Sequence, residues 1–374
     1  MKNKTKWIWQ QNDYPDFHYN KDELEPILLD IKYYQGVLNG IKESISENDF
    51  SKVSLEIFED EAIYTSAIEG EILNRDSVRS SLAKKLGIAT SLKDSSNRQT
   101  DGLIDLLIDA TYNYDKPFTL ERLFGWHNAL FASGYGNSFY KINIASFRGE
   151  EEMQIVSGVI GKEKVHYVAP PRKDLEHHME KFLLWINDDK DLSIIKAAIA
   201  HLWFVIIHPM DDGNGRIARA LTDMILSREA KSNIKLYSFS NAIQNDKKGY
   251  YNSLEMTTSG DIEITFWLKW FLNTLLQSLK DTKYKFEVVL TKARFWEKHR
   301  EAELNQRQIK VLNKLLDKGD ENFIGGINTR KYAAMTKTSK PTAARELKSL
   351  VDKNILIQIE NSAGRNIAYK INYN

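Results

Sequence analysis

The residues best suited to chemistry lie close together at positions 208–219, which read His-Pro-Met-Asp-Asp-Gly-Asn-Gly-Arg-Ile-Ala-Arg. Gly213, Asn214 and Gly215 allow backbone N–H groups to converge just before a helix predicted over residues 217–226. The start of a helix carries partial positive charge, and its free N–H groups bind anions. Phosphate is therefore the natural ligand of this loop.

Four side chains surround the predicted anion site. Arg216 and Arg219 lie three residues apart, so both guanidinium groups can reach the same end of the helix and hold two phosphates. Asp212 would repel phosphate unless a divalent cation such as Mg²⁺ lay between them, which makes Asp212 the candidate metal ligand. His208 ends the preceding apolar helix, where an imidazole that titrates near neutral pH can take a proton from a hydroxyl. Each residue alone is typical of a helix cap, a turn or a surface ion pair, but together they indicate phosphate chemistry.

Helical periodicity dominates the rest of the chain, and proline is scarce. It predicts helices over residues 22–48, 53–68, 100–112, 119–131, 175–185 and 192–207, with Thr119 as an N-cap. Apolar β-branched runs on either side of a glycine turn at residues 161–163 predict a β-hairpin over residues 156–168. From residue 304, three short helices and strand-like runs at 355–360 and 366–371 predict a winged helix-turn-helix.

Composition excludes several classes of function. The 374 residues include 52 Lys and Arg against 51 Asp and Glu, so there is no general attraction to nucleic acid or membrane. Without any cysteine, disulfides and thiolate chemistry are impossible. The apolar run at residues 197–207 is about half the ~20 residues needed to span a bilayer, and residues 7–11 interrupt any signal-peptide pattern. The sequence therefore predicts a cytoplasmic protein with no membrane partner.

The motif at residues 208–219 resembles the signature of the Fic family, with Met210 where that family usually has phenylalanine. Residues 7–11 and 15–17 resemble the N-terminal extension of Fic proteins that carry an inhibitory helix. The resemblance implies a mainly α fold: a Fic-type helical core with a β-hairpin flap, followed by the winged helix. It implies an N-terminal helical region at 1–115, the catalytic core at 116–295 and the winged helix at 296–374.

The resemblance also implies the reaction. A Fic protein adenylyltransferase moves AMP from ATP, with Mg²⁺, onto a Ser, Thr or Tyr hydroxyl of a protein, and the flap holds the target segment. The catalytic residues would be His208, Asp212, Asn214 and Arg216. The ATP-binding residues would be Gly213, Asn214, Gly215, Arg216, Ile217, Ala218, Arg219, Tyr250 and Tyr251.

A second motif, Thr-Ser-Ala-Ile-Glu-Gly at residues 65–70, resembles the inhibitory motif of Fic proteins. By that resemblance Glu69 would pair with Arg219 and deny the γ-phosphate its place, because a carboxylate and a triphosphate compete for one guanidinium group. Read alone, Glu69 is typical of a solvated charge before a helix-ending glycine.

The basic residues of the C-terminal part leave several interpretations open. Lys337, Lys340, Arg345, Lys348 and Arg365 could bind DNA phosphates, but winged helices also serve as protein-contact and dimerisation modules, including homodimers. The alternatives to AMP transfer are a Fic enzyme that transfers another phosphate-linked group or removes AMP, and a DNA-binding regulator whose Fic core senses nucleotide.

Overall fold

The computed structural model describes residues 7–87, 94–131, 133–136, 141–158, 164–323, 325–360, 362 and 367–373. The chain forms two compact units, one of Met1–Glu43 with Phe50–Thr282 and the other of Ser44–Asp49 with Lys283–Asn374. The predicted division into three domains stays a prediction. Its second boundary, after residue 295, falls inside a long helix, Thr265–Lys298.

Helices dominate the described residues, which confirms the expected mainly α fold. In chain order the helices are α1 (Lys21–Ser44), α2 (Glu47–Ile68), α3 (Arg75–Lys85), α4 (Arg98–Tyr112), α5 (Leu120–Leu130), α6 (Leu175–Ile186), α7 (Ile194–Ile207), α8 (Asn214–Ala230), α9 (Phe239–Asn245), α10 (Lys247–Thr258), α11 (Thr265–Lys298), α12 (Gln306–Asn322), α13 (Thr329–Thr336) and α14 (Lys340–Asp352). The strands are β1 (Gln154–Ser157), β2 (Lys164–Val168), β3 (Leu356–Gln358) and β4 (Tyr369–Ile371). None of the described helices combines the length and apolar character required to cross a lipid bilayer.

Side chains at the helix starts explain where several helices begin. The Asn97 side chain accepts hydrogen bonds from N–H groups in the first turn of α4. In the same way, Thr119 accepts from the Arg122 N–H group in α5, and Ser193 accepts from the Lys196 N–H group in α7. Such N-caps satisfy backbone donors that have no partner within the helix.

The core of the larger unit is centred on α7 and α8, which pack against each other. Nearly every residue of α7 is buried, as its continuous apolar sequence predicts. Trp267 of α11 lies fully buried beside α7 and donates its indole N–H to the Ala198 carbonyl at 2.9 Å. The residues between α7 and α8 are therefore fixed at both ends by the most deeply buried helices of this unit.

A two-stranded antiparallel sheet, β1 with β2, forms the predicted hairpin, and a register shift lies between Ile155 and Val156. The hairpin turn predicted at residues 161–163 lies outside the described residues. Tyr167 of β2 donates its hydroxyl to the Ile206 carbonyl near the end of α7 at 2.8 Å. On α10, Glu255 accepts bonds from Lys164 and His166, so the hairpin is held against two helices.

Helix α3 has no counterpart among the predicted helices. Its buried face is made largely of serines, and Ser77 and Ser81 form hydrogen bonds with Thr100 and Asp101 of α4. A helix that packs through hydroxyl groups shows little apolar periodicity, so the pattern that reveals other helices is missing here.

The smaller unit contains α12, α13, α14 and the antiparallel pair β3 and β4 around its own apolar core, which includes Val311, Leu347 and Ile355. Ser339 caps α14 by accepting a bond from the Thr342 N–H group. This is the order of three helices and two strands expected from the sequence, while the assignment as a winged helix-turn-helix stays a prediction. Arg365, predicted to lie on the wing, falls outside the described residues.

Candidate active site

His208 follows the last residue of α7 in a left-handed conformation, with φ of +49°. A non-glycine residue seldom adopts this region, so its surroundings must hold it there. The Arg148 Nε donates to the His208 carbonyl at 2.9 Å, and the Nδ1 of His208 lies 3.4 Å from the Val205 carbonyl. Because a carbonyl can only accept, Nδ1 carries the proton and the lone pair lies on Nε2.

Burial lowers the pKa of His208 to about 4; the carbonyl of Val205 acts in the opposite direction, and the charge of Arg148 lowers the pKa further. The imidazole is therefore neutral at pH 7 and able to accept a proton.

The loop after His208 is built around one glycine and one asparagine. Gly213 has φ of +81°, and a Cβ atom there would lie 2.7 Å from the Phe131 ring, so this position requires glycine. The Asn214 side chain donates to the Met210 carbonyl at 2.8 Å and accepts from the Met210 N–H at 3.0 Å. Asn214 therefore closes the loop with its amide group, and its role as a catalytic residue stays a prediction. Met210 itself is fully buried, as expected for an apolar residue that fills this position.

Asp212 lies beside the start of α8. Its Oδ1 accepts the Gly213 N–H at 2.6 Å and lies 3.8 Å from the Arg216 Nη2. The side chain is 21% exposed, so it can meet a ligand. Among the described residues, no cluster of three or more His, Asp or Glu side chains could hold a metal ion by itself.

Arg216 is almost completely buried on the first turn of α8. Its Nη1 donates to the Oε2 of Glu71 at 2.8 Å, and its guanidinium group lies 4.8 Å from the centre of the Phe131 ring. The Nε and Nη2 atoms are buried without a hydrogen-bond partner among the described residues. Arg216 thus has donors available for an anion.

Arg219 lies on the next turn and is held by the end of α2. Its Nε donates to the Thr65 hydroxyl at 2.7 Å, and its Nη2 donates to the Thr65 carbonyl and to the Oε1 of Glu69, both at 2.8 Å. A Cβ atom at Gly215 would lie 2.2 Å from the same Glu69 oxygen. The carboxylate of Glu69 therefore lies directly over the helix start that was predicted to bind phosphate.

Two neighbouring arginines determine the pKa of Glu69. Burial raises its pKa, but the charge and hydrogen bond of Arg219 and the charge of Arg216 outweigh that effect, so its pKa lies below the ordinary value. The Nη1 of Arg219 is another buried donor without a partner among the described residues. Donors left unpaired in a protein interior are costly unless a ligand satisfies them, and an anion forms the strongest hydrogen bonds with guanidinium groups.

The remaining residues of the predicted ATP site lie at different depths. Tyr250 is buried, and its hydroxyl lies 3.0 Å from His201 Nε2 in the core. Tyr251 is 44% exposed, and its hydroxyl donates to the last carbonyl of α2 at 3.3 Å. Ile217 and Ala218 are fully buried. Of this group, only the Tyr251 side chain presents a large surface to solvent.

A cleft of about 910 Å³ lies between the hairpin and the loop before α8. Its lining includes Arg148, Asp211, Val156 and Val165. The two valines lie on adjacent strands, and they are 47% and 41% exposed, respectively. An extended peptide could place apolar side chains against them.

Three residues of this region were missed by sequence reasoning. Arg148 donates to the carbonyls of His208 and Pro170, and so joins the loop after α7 to the base of the hairpin. Asp211 accepts the N–H groups of residues 143 and 149. Glu71 binds Arg216. For Glu71 no local pattern in the sequence indicates this contact, because Glu71 lies in the turn that ends α2 and Arg216 lies on a distant segment.

The chain was compared with known proteins. A family model described as the Fic/DOC family matches residues 117–226, and one described as a domain of unknown function (DUF4172) matches residues 7–88. Protein adenylyltransferase fic-1 of Caenorhabditis elegans is 38% identical over 81 residues, which are 21% of this chain and 15% of that protein. Protein adenylyltransferase Fic of Nematostella vectensis is 37% identical over 99 residues, 26% of this chain and 22% of that protein. The match therefore spans less than a quarter of either relative.

Two solved structures share the fold. A Fic family protein from Desulfovibrio desulfuricans G20 superposes with a TM-score of 0.50 at 16% identity, over 92% of this chain and 96% of that one. Fic-1 from C. elegans gives a TM-score of 0.50 at 16% identity, over 71% of this chain and 74% of that one. With the motif at residues 208–219 assembled around one helix start, these matches confirm the resemblance, and the chain contains a Fic/DOC family domain at residues 117–226.

Proposed function

We propose that this chain transfers AMP from ATP to a hydroxyl group of a protein. One observation carries the proposal: two almost completely buried arginines, Arg216 and Arg219, have unpartnered donors at the start of α8, in the same loop-and-helix motif as a neutral imidazole, His208. A nucleotide triphosphate supplies the acceptors that these donors need. The names of the relatives as protein adenylyltransferases support AMP as the transferred group.

The reaction follows from the proton acceptor and the anion site. The target hydroxyl oxygen attacks the α-phosphorus of ATP, a new P–O bond forms, and the bond to pyrophosphate breaks. His208 accepts the hydroxyl proton at Nε2. Arg216 and Arg219 hold the phosphates that leave, and the N–H groups at the start of α8 stabilise the negative charge on the transferring phosphate.

The residues present also fit a magnesium ion bound together with ATP. Mg²⁺ in nucleotide sites often uses one or two protein carboxylates and completes its shell with phosphate oxygens and water. Asp212 offers one such carboxylate, partly exposed beside Arg216. When bound, the ion would neutralise phosphate charge, and Asp212 would supply one of its ligands.

Autoinhibition is the second part of the proposal. Glu69 pairs with Arg219 at 2.8 Å and lies over Gly215, so its carboxylate takes the space and the donor that a phosphate would use. ATP must compete with this carboxylate, and like charges repel. A hydrogen bond between charged groups contributes about 1.5–3 kcal/mol, so removing Glu69 should raise transfer roughly tenfold or more.

Labelled ATP tests both parts. We expect the Glu69→Gly variant with Mg²⁺ to incorporate label from the α-phosphate and none from the γ-phosphate, into itself or into an added lysate. Mass spectrometry should locate an adenylyl group on Ser, Thr or Tyr. The matched control, Glu69→Gly with His208→Ala, should incorporate none.

Two results would contradict the proposal. Incorporation of the γ-label would indicate phosphate transfer, and no incorporation in any variant would remove the support for an enzyme.

A second candidate function, DNA binding, rests on exposed basic residues of α14 and on Lys337, which follows α13. Lys337, Lys340, Arg345 and Lys348 are exposed, whereas Leu347 faces the core. A basic helix face of this kind suits DNA phosphates. The Lys340→Ala/Arg345→Ala variant should lose affinity for a fluorescent DNA duplex, while Lys314→Ala, an exposed lysine of α12, should not. Salt-independent binding, or equal binding by both variants, would exclude this role.

A further inference from the structure

We propose that Glu71 is a second inhibitory carboxylate, which blocks Arg216 while Glu69 blocks Arg219. The proposal deepens the proposed function, because it describes regulation of the same site, and it rests on that function for the identity of the nucleotide. The anion site itself rests on the geometry of α8 and the two arginines.

Both carboxylates are presented by one rigid turn at the end of α2. Gly70 adopts φ of +85°, its N–H donates to the Ala67 carbonyl at 3.1 Å, and the Glu71 N–H donates to the Ser66 carbonyl at 2.9 Å. These two bonds define a Schellman motif, in which glycine supplies the left-handed residue that closes a helix. Glu69 and Glu71 therefore leave the same turn on either side of a fixed glycine.

Each carboxylate meets a different arginine. Glu71 Oε2 lies 2.8 Å from Arg216 Nη1, and Glu69 Oε1 lies 2.8 Å from Arg219 Nη2. Arg216 and Arg219 lie on successive turns of α8, so the two ion pairs lie side by side at the start of the helix. The Glu71 side chain is 13% exposed and that of Arg216 is 2% exposed, so water screens this pair weakly.

Relief of one contact leaves the other in place. When Glu69 is removed, Glu71 still occupies one donor of Arg216 and still places a negative charge beside any incoming phosphate. A polyphosphate that uses both arginines must compete with both carboxylates. Inhibition should therefore be released in two separable steps.

Inorganic pyrophosphate is the direct probe, because it needs both arginines and undergoes no transfer. Isothermal titration calorimetry on the full chain would compare wild type, Glu69→Gln, Glu71→Gln and the double variant. We expect each single variant to bind pyrophosphate about tenfold more tightly than wild type, and the double variant to bind more tightly than either. Glu25→Gln, an exposed glutamate of α1, is the matched control and should bind like wild type.

The outcomes separate this inference from the proposed function. If Glu71→Gln and Glu71→Ala both bind pyrophosphate no more tightly than wild type, while their thermal unfolding shows folded protein, Glu71 is a structural partner of Arg216 and the inference is overturned. If the predicted affinities are found but no variant incorporates adenylyl label, the anion site is doubly blocked and the transferase proposal fails. If both hold, Glu69→Gly/Glu71→Gln should incorporate more label than Glu69→Gly alone.

Discussion

The buried imidazole of His201 should make the stability of the larger unit depend on pH. His201 lies on α7 with no exposed surface, and its Nδ1 lies 3.0 Å from the Thr222 hydroxyl. That hydroxyl donates to the Ala218 carbonyl at 3.0 Å, so it accepts from Nδ1–H. The Nε2 atom then accepts from the Tyr250 hydroxyl at 3.0 Å. With these partners, both nitrogens of the neutral ring are satisfied.

Burial lowers the pKa of His201 from 6.5 to about 3, and the charge of Arg219 contributes. The unfolded chain therefore binds a proton near pH 6.5, whereas the folded chain binds it only near pH 3. The stability due to the neutral ring is complete above pH 6.5 and falls as the pH drops toward 3, by about 1.4 kcal/mol per pH unit. At pH 5 the loss should be about 2 kcal/mol.

The test is urea unfolding of wild type and His201→Gln at pH 7, 6 and 5, followed by tryptophan fluorescence. Seven of the eight tryptophans lie in the larger unit, so the signal reports that unit. Glutamine cannot titrate, so the stability advantage of wild type should shrink by about 2 kcal/mol between pH 7 and pH 5. Leu268→Ala, a buried leucine of α11, is the control and should cost the same at each pH. An advantage of wild type over His201→Gln that does not change with pH would refute the assignment of a buried neutral ring.

Two further predictions concern a buried ion pair and a close contact between helices. Lys235→Met should destabilise the chain by about 3–5 kcal/mol in thermal or urea unfolding. Lys235 lies 2.5 Å from Asp223, a buried acid whose pKa burial raises, and the substitution removes its ion-pair partner. A variant as stable as wild type would contradict this. Gly102→Ala should lower the stability of the chain by about 1–3 kcal/mol, because the new Cβ atom would lie 1.9 Å from the Ala129 carbonyl oxygen. Gly125→Ala is the matched variant: nothing lies within 4 Å of its Cβ position, so it should raise stability by about 0.5–1 kcal/mol. Equal changes in stability for the two glycine variants would show that the close approach of α4 to α5 does not require glycine at position 102.

The sequence was informative where local chemistry determines structure. The apolar run of α7, the cap at Thr119 and the loop at residues 208–215 all follow from neighbouring residues, so their positions could be predicted. The convergence of Arg216 and Arg219 at one helix end also follows from their spacing. These are contacts within one or two turns of helix.

Contacts between distant segments could not be predicted in this way. Glu71 and Arg216 are 145 residues apart, and Arg148 meets His208 across 60 residues. Asn214 shows a different limit, because an amide side chain has both a donor and an acceptor, and the sequence alone does not show that both bind the backbone of Met210. Helix α3 could not be predicted from apolar periodicity, because serines occupy part of its buried face.

The ion pairs of Arg216 and Arg219 with Glu71 and Glu69 connect the proposed inhibition to stability. Nearly buried guanidinium groups left without counter-charge cost free energy, so the two carboxylates also stabilise the protein without ligand. Variants that release the block should therefore be less stable without ligand. A bound polyphosphate replaces the lost counter-charge, and mass action then restores stability in proportion to its affinity. The two arginines pair with glutamate in the ligand-free protein and, in the proposed function, with phosphate in the ligand-bound protein, so competition between these two acids sets the balance between the two states.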